Sequence, residues 1–120
     1  MKDCIFCKII RGEIPANKVY EDDEILAFHD TRPAAPVHTL VIPKKHIPSL
    51  MHFEAEDLEL AGRLFYKAQE LAKEPGRLCP EGLGESGARF VVNAGKHAGQ
   101  TVDHIHIHIL GGRRLSWPPG

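Results

Sequence analysis

Histidines 104, 106 and 108 alternate with isoleucines 105, 107 and 109 in the run His104-Ile105-His106-Ile107-His108-Ile109-Leu110. A β-branched residue at every second position predicts a strand. Side chains of a strand point alternately to its two faces, so the imidazoles share one face and the isoleucines line the other. Imidazoles two residues apart lie about 6.5–7 Å apart along such a face. A neutral imidazole is a nucleophile toward phosphorus and a general acid or base near neutral pH. His106 has a histidine on each side to orient it or handle protons. A sheet surface that carries three histidines by chance is the plain alternative. It leaves mutual repulsion on protonation, or unmet ring nitrogens on burial, unexplained.

Two further groups of residues carry chemistry. The loop Asn93-Ala94-Gly95-Lys96-His97-Ala98-Gly99-Gln100-Thr101 immediately precedes the histidine strand. Gly95 and Gly99 let a backbone come close to a ligand and turn N–H groups toward an anion. Gln100 and Thr101 add an amide and a hydroxyl. The second group is Cys4-Ile5-Phe6-Cys7, which offers two thiolates at a zinc-ligand spacing. His46 or His104 could complete a closed, structural Cys2His2 site; two free, half-buried thiols are the alternative. A different metal reading makes His-x-His and a third histidine an open catalytic zinc site.

The elements that must position these groups read as follows. Residues 3–11 form a short amphipathic helix with Ile5, Phe6, Ile9 and Ile10 as its apolar positions, ended by Gly12. Residues 18–21 and 24–30 are strands around the acidic turn Glu21-Asp22-Asp23, and Pro33 and Pro36 impose a loop after them. Thr39-Leu40-Val41-Ile42 is a buried type of strand closed by Pro43. One long helix is predicted from about Glu54 to Lys73, with Leu58, Ala61, Leu64, Phe65, Ala68, Leu71 and Ala72 as its core stripe and Pro75-Gly76 as its stop. A glycine-rich turn at 82–87 leads to the strand 88–92, and the 93–103 loop delivers the chain to the histidines. Five strands with one long helix make an α+β fold.

Composition sets the frame. A chain of 120 residues is expected to be one domain, residues 1–120, with a core that needs no disulfide staples. A formal net charge of −1 offers no surface for nucleic acid or an anionic membrane. No apolar run is long enough to span a bilayer, and no cleavable signal peptide is visible at the N-terminus. Three cysteines, an odd count, suit a reducing cytosol, so a cytoplasmic protein is expected.

The histidine run, preceded by Gly99-Gln100-Thr101 and followed by Gly111-Gly112-Arg113, resembles the histidine-triad (HIT) superfamily. Phe6-Cys7-Lys8-Ile9-Ile10, Glu13-Ile14-Pro15-Ala16, Ala27-Phe28-His29-Asp30, Pro36 through Ile47 and the ending Trp117-Pro118-Pro119-Gly120 resemble its nucleotide-binding protein branch. His108 stands where the related nucleotidyl-transferase branch has Gln.

The resemblance implies a five-stranded antiparallel sheet, continued across a homodimer, and hydrolysis of purine nucleoside phosphoramidates such as adenosine 5′-phosphoramidate or nucleotidyl-lysine. It implies that His106 is the nucleophile, forming a nucleotidyl-histidine intermediate. His108 is the phosphate and leaving-group contact, His104 the first histidine of the triad and His38 a further histidine near the nucleophile. Asn93, Gly99, Gln100 and Thr101 correspond to the phosphate loop, with Thr101 where Ser is usual. Asp30 corresponds to the carboxylate on the ribose hydroxyls, and Phe6, Ile9, Ile14, Phe28, Thr31 and Leu40 to the base pocket; for Ile9 and Ile14 an ordinary core role is equally open. Members that carry the cysteine pair bind one structural zinc per chain, which points to Cys4, Cys7, His46 and His104. No organic cofactor is expected. Three alternatives stay open: a dinucleoside polyphosphate hydrolase, a catalytically weak nucleotide-binding module in which Thr101 blunts the chemistry, and a zinc-dependent hydrolase.

Overall fold

Antiparallel pairing of five short strands follows directly from the punctuation of the sequence. In the computed structural model, which describes residues 3–120, they are β1 (Lys18–Glu21), β2 (Ile25–His29), β3 (Val37–Pro43), β4 (Arg89–Val91) and β5 (Ile107–Gly111). Their order across the sheet is β1-β2-β3-β5-β4. The β1–β2 turn closes where Asp22 accepts from the backbone N–H of Glu24 and of Ile25, both at 2.8 Å; an aspartate side chain of this kind stands in for a backbone turn. Five antiparallel strands with one long helix α2 (Leu58–Lys73) and a short N-terminal helix α1 (Ile5–Ile10) are the fold expected from the sequence.

The period-two pattern gives the sheet two different faces. Ile25, Ala27, Val37, Val41, Ile107 and Ile109 lie on one, packed against Leu60, Leu64, Ala68 and Leu71 of α2. Leu26, Phe28, Leu40 and Ile42 lie on the other, packed against Phe6 and Ile9 of α1. Each fully buried Leu, Ile or Phe contributes about 1.5–3 kcal/mol, so the two clusters together outweigh any single polar contact in the molecule. α1 starts at Cys4, whose Sγ accepts from the N–H of Cys7 at 3.3 Å. The 79–88 segment is locked beneath β5 because Gly111 has no Cβ; one placed there would lie 2.6 Å from Cδ1 of Leu83.

Three expectations need correction. The long helix starts at Leu58, because residues 55–57 form a 3-10 turn that Asp57 and Glu54 cap reciprocally. Leu58 and Phe65 are not in the core: they are 76% and 50% exposed, while Leu60 takes the core position at the start of the helix. The histidine strand is paired only from Ile107, so His104 and His106 stand off the ladder. The reason is Pro43, the last residue of β3, which has no N–H to continue the ladder; Ile105 donates instead to the Ile47 carbonyl at 2.7 Å. Among the described residues, no helix is long and apolar enough to cross a membrane.

Candidate active site

Leaving the ladder at Pro43 bends the chain so that the His104 carbonyl faces the side chain two residues on. Nδ1 of His106 lies 2.7 Å from that oxygen. A carbonyl only accepts, so Nδ1 carries the hydrogen and Nε2 the lone pair. The ring is buried, with the Phe6 ring edge-on to it at a centroid separation of 5.2 Å. Burial lowers its pKa, the carbonyl bond opposing in part, so the ring is the neutral form. His106 is thus a neutral imidazole with its Nε2 lone pair fixed by the backbone.

His108 is set the opposite way, through a chain of donors. The backbone N–H of Ala34 donates to Nδ1 of His38 at 3.0 Å. His38 therefore holds its hydrogen on Nε2, which lies 2.9 Å from Nδ1 of His108. His108 accepts there and so carries its hydrogen on Nε2, the one buried side-chain nitrogen or oxygen without a partner among the described residues. Burial first, and then the neighbouring His106 and His38, push the His108 pKa down to about 4. The outcome is a lone pair on His106 Nε2 beside an unpartnered N–H on His108 Nε2, with ring centroids 4.8 Å apart. That is a nucleophile next to a hydrogen-bond donor. The Asp30 carboxylate reaches within 3.5 Å of His38 Nε2.

His104 turns its ring away from this pair. Its Nε2–H donates to the Pro43 carbonyl at 2.8 Å, which leaves the Nδ1 lone pair facing Cys4 Sγ at 3.4 Å, Cys7 Sγ at 3.7 Å and His46 Nδ1 at 3.2 Å. Cys7 Sγ lies 3.3 Å from His46 Nδ1. A tetrahedral zinc with two sulfur and two nitrogen ligands has edges of about 3.3–3.8 Å, so the four donors fit that ion. Burial lowers the pKa of His46 and takes that of His104 down to about 4, keeping both rings in the neutral state that a metal binds. Burial also raises the Cys7 thiol, so a metal would have to displace its proton.

The remaining candidates divide by position. Phe6, Ile9, Phe28 and Leu40 form one buried cluster, with Ile14 and Val102 packed against it. The Phe6 and Phe28 rings meet edge to face at 5.5 Å. Asp30 follows β2 at the border of this cluster and accepts from the Arg32 N–H at 2.8 Å, keeping its second oxygen toward His38. Thr31 is exposed and outside the cluster. In the loop, Gly99 adopts a left-handed conformation at φ 85° that closes the 96–98 turn. The Gln100 amide is fully occupied with the fold: Oε1 accepts from Gly95 N–H, and Nε2 donates to Pro48 and Val102 carbonyls. Gln100 shapes the loop through these bonds. Thr101 is exposed beside Cys4 and His46, and Asn93, two residues past β4, is half-buried.

Sequence reasoning missed the carbonyls of Pro43 and His104 and the amide of Ala34. They act through main-chain atoms that every residue type supplies, so no residue signature announces them. A spacing rule was available for one: the oxygen of a residue and the ring two positions on.

The HIT domain model matches residues 11–115. The chain belongs to the HIT family. It is 54% identical over 119 residues to an uncharacterised HIT-like protein of Synechocystis, covering 99% of this chain and 98% of that one. A HIT family hydrolase from Legionella pneumophila, known from its crystal structure, superposes with a TM-score of 0.91 at 50% identity, over 98% of this chain and all (100%) of that one. A zinc-bound histidine-triad family protein from Mycobacterium smegmatis superposes with a TM-score of 0.76 at 36% identity, over 97% of this chain and 81% of that one.

Proposed function

We propose that this HIT protein hydrolyses purine nucleoside phosphoramidates through a nucleotidyl-histidine intermediate on His106. The observation that carries the reading is the opposed setting of two neighbouring imidazoles: a lone pair on His106 Nε2, fixed by the His104 carbonyl, and a free N–H on His108 Nε2, fixed through His38. In the first step the bond from His106 Nε2 to phosphorus forms and the phosphorus–nitrogen bond breaks. The nitrogen departs as an amine on a proton taken up from solvent with the anionic substrate and passed on through His108. In the second step water attacks phosphorus, the phosphorus–Nε2 bond breaks, and water's spare proton returns to solvent. His106 is again a neutral imidazole, and the balance is one water consumed per phosphoramidate bond. The relationship to a Legionella protein described as a HIT family hydrolase supports hydrolysis as the reaction class.

On this reading Asp30 accepts from the ribose hydroxyls and the base lies against Phe6, Phe28 and Leu40, with Ile9 behind them. Asn93, Gly99 and Thr101 are assigned to the phosphate by their place in the loop, and Gln100 holds that loop in shape. Cys4, Cys7, His46 and His104 hold one zinc. The ion would supply a structural crosslink between the N-terminal helix and the segment that carries His106. The spacing of the four donors and the zinc-bound Mycobacterium relative support this assignment. A homodimer is supported by the large apolar side chains left uncovered on α2 and on the edge strand: Phe65 at 50%, Tyr66 at 64% and Phe90 at 41% exposed. A cytoplasmic setting suits three cysteines that form no disulfide among the described residues. One comparison tests the function: turnover of adenosine 5′-phosphoramidate against that of a diadenosine polyphosphate. Faster cleavage of the phosphoramidate supports the proposal; a clear preference for the polyphosphate replaces it with the dinucleoside hydrolase.

A further inference from the structure

Three arginines of this chain converge where β5 ends. A cleft of about 730 Å³ opens there between the 79–89 segment and residues 110–115, and Arg89, Arg113 and Arg114 all line it. The volume is that of a small-molecule site. Of the four arginines outside the cleft, Arg11, Arg63 and Arg77 each lie within 4 Å of a glutamate, and Arg32 stands alone among the described residues, on the 30–36 loop. Among the described residues, none of the three cleft arginines has a carboxylate partner, although Glu81 is part of the same lining. Two of them are held in place by carbonyls. Arg89 Nη2 donates to Ser116 at 2.8 Å, and Arg113 donates to Ala34 at 2.9 Å and to Arg114 at 3.0 Å. A guanidinium has five N–H donors, so both keep free ones after these bonds, and Arg114 keeps all of its own. Fixed, uncompensated guanidiniums are the residue type that binds carboxylate and phosphate.

The place of the cleft says which part of a substrate would meet it. Arg89 pairs across the sheet with Leu110, and Leu110 follows His108 on the same face of β5, about 6.5–7 Å further along the strand. The apolar cluster of Phe6, Phe28 and Leu40 lies in the other direction, over β2 and β3. In an in-line displacement at phosphorus the leaving group departs opposite the attacking His106 Nε2. His108, with its free N–H, is the next side chain on that face of β5 toward the cleft.

We infer that the cleft of Arg89, Arg113 and Arg114 is a subsite for an anionic group, carboxylate or phosphate, carried by the leaving amine. The inference rests on the phosphoramidase reading above and adds the chemistry of the leaving group to it. Arg113 ties the subsite to the site proper, since the residue whose carbonyl it holds, Ala34, also donates the N–H that sets His38.

The test compares adenosine phosphoramidates that differ only in the amine: ethylamine (neutral), glycine (carboxylate) and 2-aminoethyl phosphate (phosphate). Each is measured as kcat/KM in the native chain and as affinity in His106→Ala. The anionic amines are expected to exceed ethylamine about ten-fold or more, the size of one charge-assisted contact. That ratio is expected to fall toward one in Arg114→Gln, whose side chain makes no hydrogen bond that folding needs. The double variant Arg113→Gln/Arg114→Gln should lower it further. The larger of the two anionic ratios identifies the source, carboxylate or phosphate. Equal rates and affinities for all three amines, or an anionic preference untouched in both arginine variants, overturn the subsite and leave the phosphoramidase standing. Absence of turnover with every amine removes the phosphoramidase; the affinities in His106→Ala then still decide whether the arginines bind an anion.

Discussion

Replacing His38 by Ala tests whether a histidine that touches no reacting atom governs one that does. The substitution removes the 2.9 Å bond from His38 Nε2 to His108 Nδ1 and the 3.0 Å bond from Ala34. Ala34 is exposed and finds water; the His108 ring, half-buried, is freed to carry its hydrogen on either nitrogen. A net hydrogen bond of this kind is worth about 1–1.5 kcal/mol, and about 1.4 kcal/mol is a factor of ten in rate. The expected result is a kcat about ten-fold lower with a much smaller change in KM, because the setting of the His108 donor matters most where charge develops on the leaving nitrogen. His38→Gln, whose amide can still donate toward His108, should recover part of the loss. Steady-state hydrolysis of adenosine 5′-phosphoramidate, followed by chromatography of released AMP, gives both constants. Thermal melts of each variant separate this effect from loss of folded protein. A His38→Ala chain that stays folded and keeps the native kcat would refute the argument that His38 fixes the His108 tautomer.

His106→Ala should lose at least about 10³-fold in turnover while retaining nucleotide affinity by calorimetry, and acid-quenched native protein should carry a nucleotide linked through nitrogen; robust turnover in the variant would sink covalent catalysis. Asp30→Asn should weaken AMP more than 2′-deoxy-AMP, by about ten-fold in relative affinity, and equal losses would remove Asp30 from the ribose. Elemental analysis should find one zinc per chain, and a strong chelator should lower the melting temperature by more than it lowers the rate per folded molecule; a metal-free native protein contradicts the assignment. Asp57, held below the usual carboxylate range mainly by Lys45 at 2.6 Å, stabilises the fold above its unfolded value of about 3.9, and that contribution disappears as pH falls through its lower native value. Acid unfolding of Asp57→Asn should therefore show a shallower pH dependence below about pH 4, and identical slopes would show that the Lys45 pair contributes nothing.

Much of the arrangement was legible because it depends on residue type at fixed spacing. The histidine and isoleucine faces of β5 follow from period two alone, and Ile105, Ile107 and Ile109 do line the α2 side. The Cys4 and Cys7 pair was legible from its spacing, with His46 and His104 as candidate partners, but the full set of four came only from the family resemblance, since its members are up to a hundred residues apart. Leu58 and Phe65 show where periodicity fails: α2 has a second apolar stripe, and nothing in the helix itself says which stripe meets the sheet. The onset of β5 pairing was hidden because it depends on Pro43, remote in sequence. The arginine cleft was hidden by its own averaging, as a net charge of −1 conceals three like charges gathered at one end of a strand.

The chain that sets His108 begins at the backbone amide of Ala34, a position whose side chain contributes nothing to it. Drift at that position is therefore almost free: nineteen side chains leave the N–H in place, and the twentieth, proline, deletes it. One substitution there, to proline, would release the His38 tautomer on which the setting of His108 depends. The neighbouring Pro33 and Pro36 show how near the tolerated composition of this loop lies to that forbidden residue.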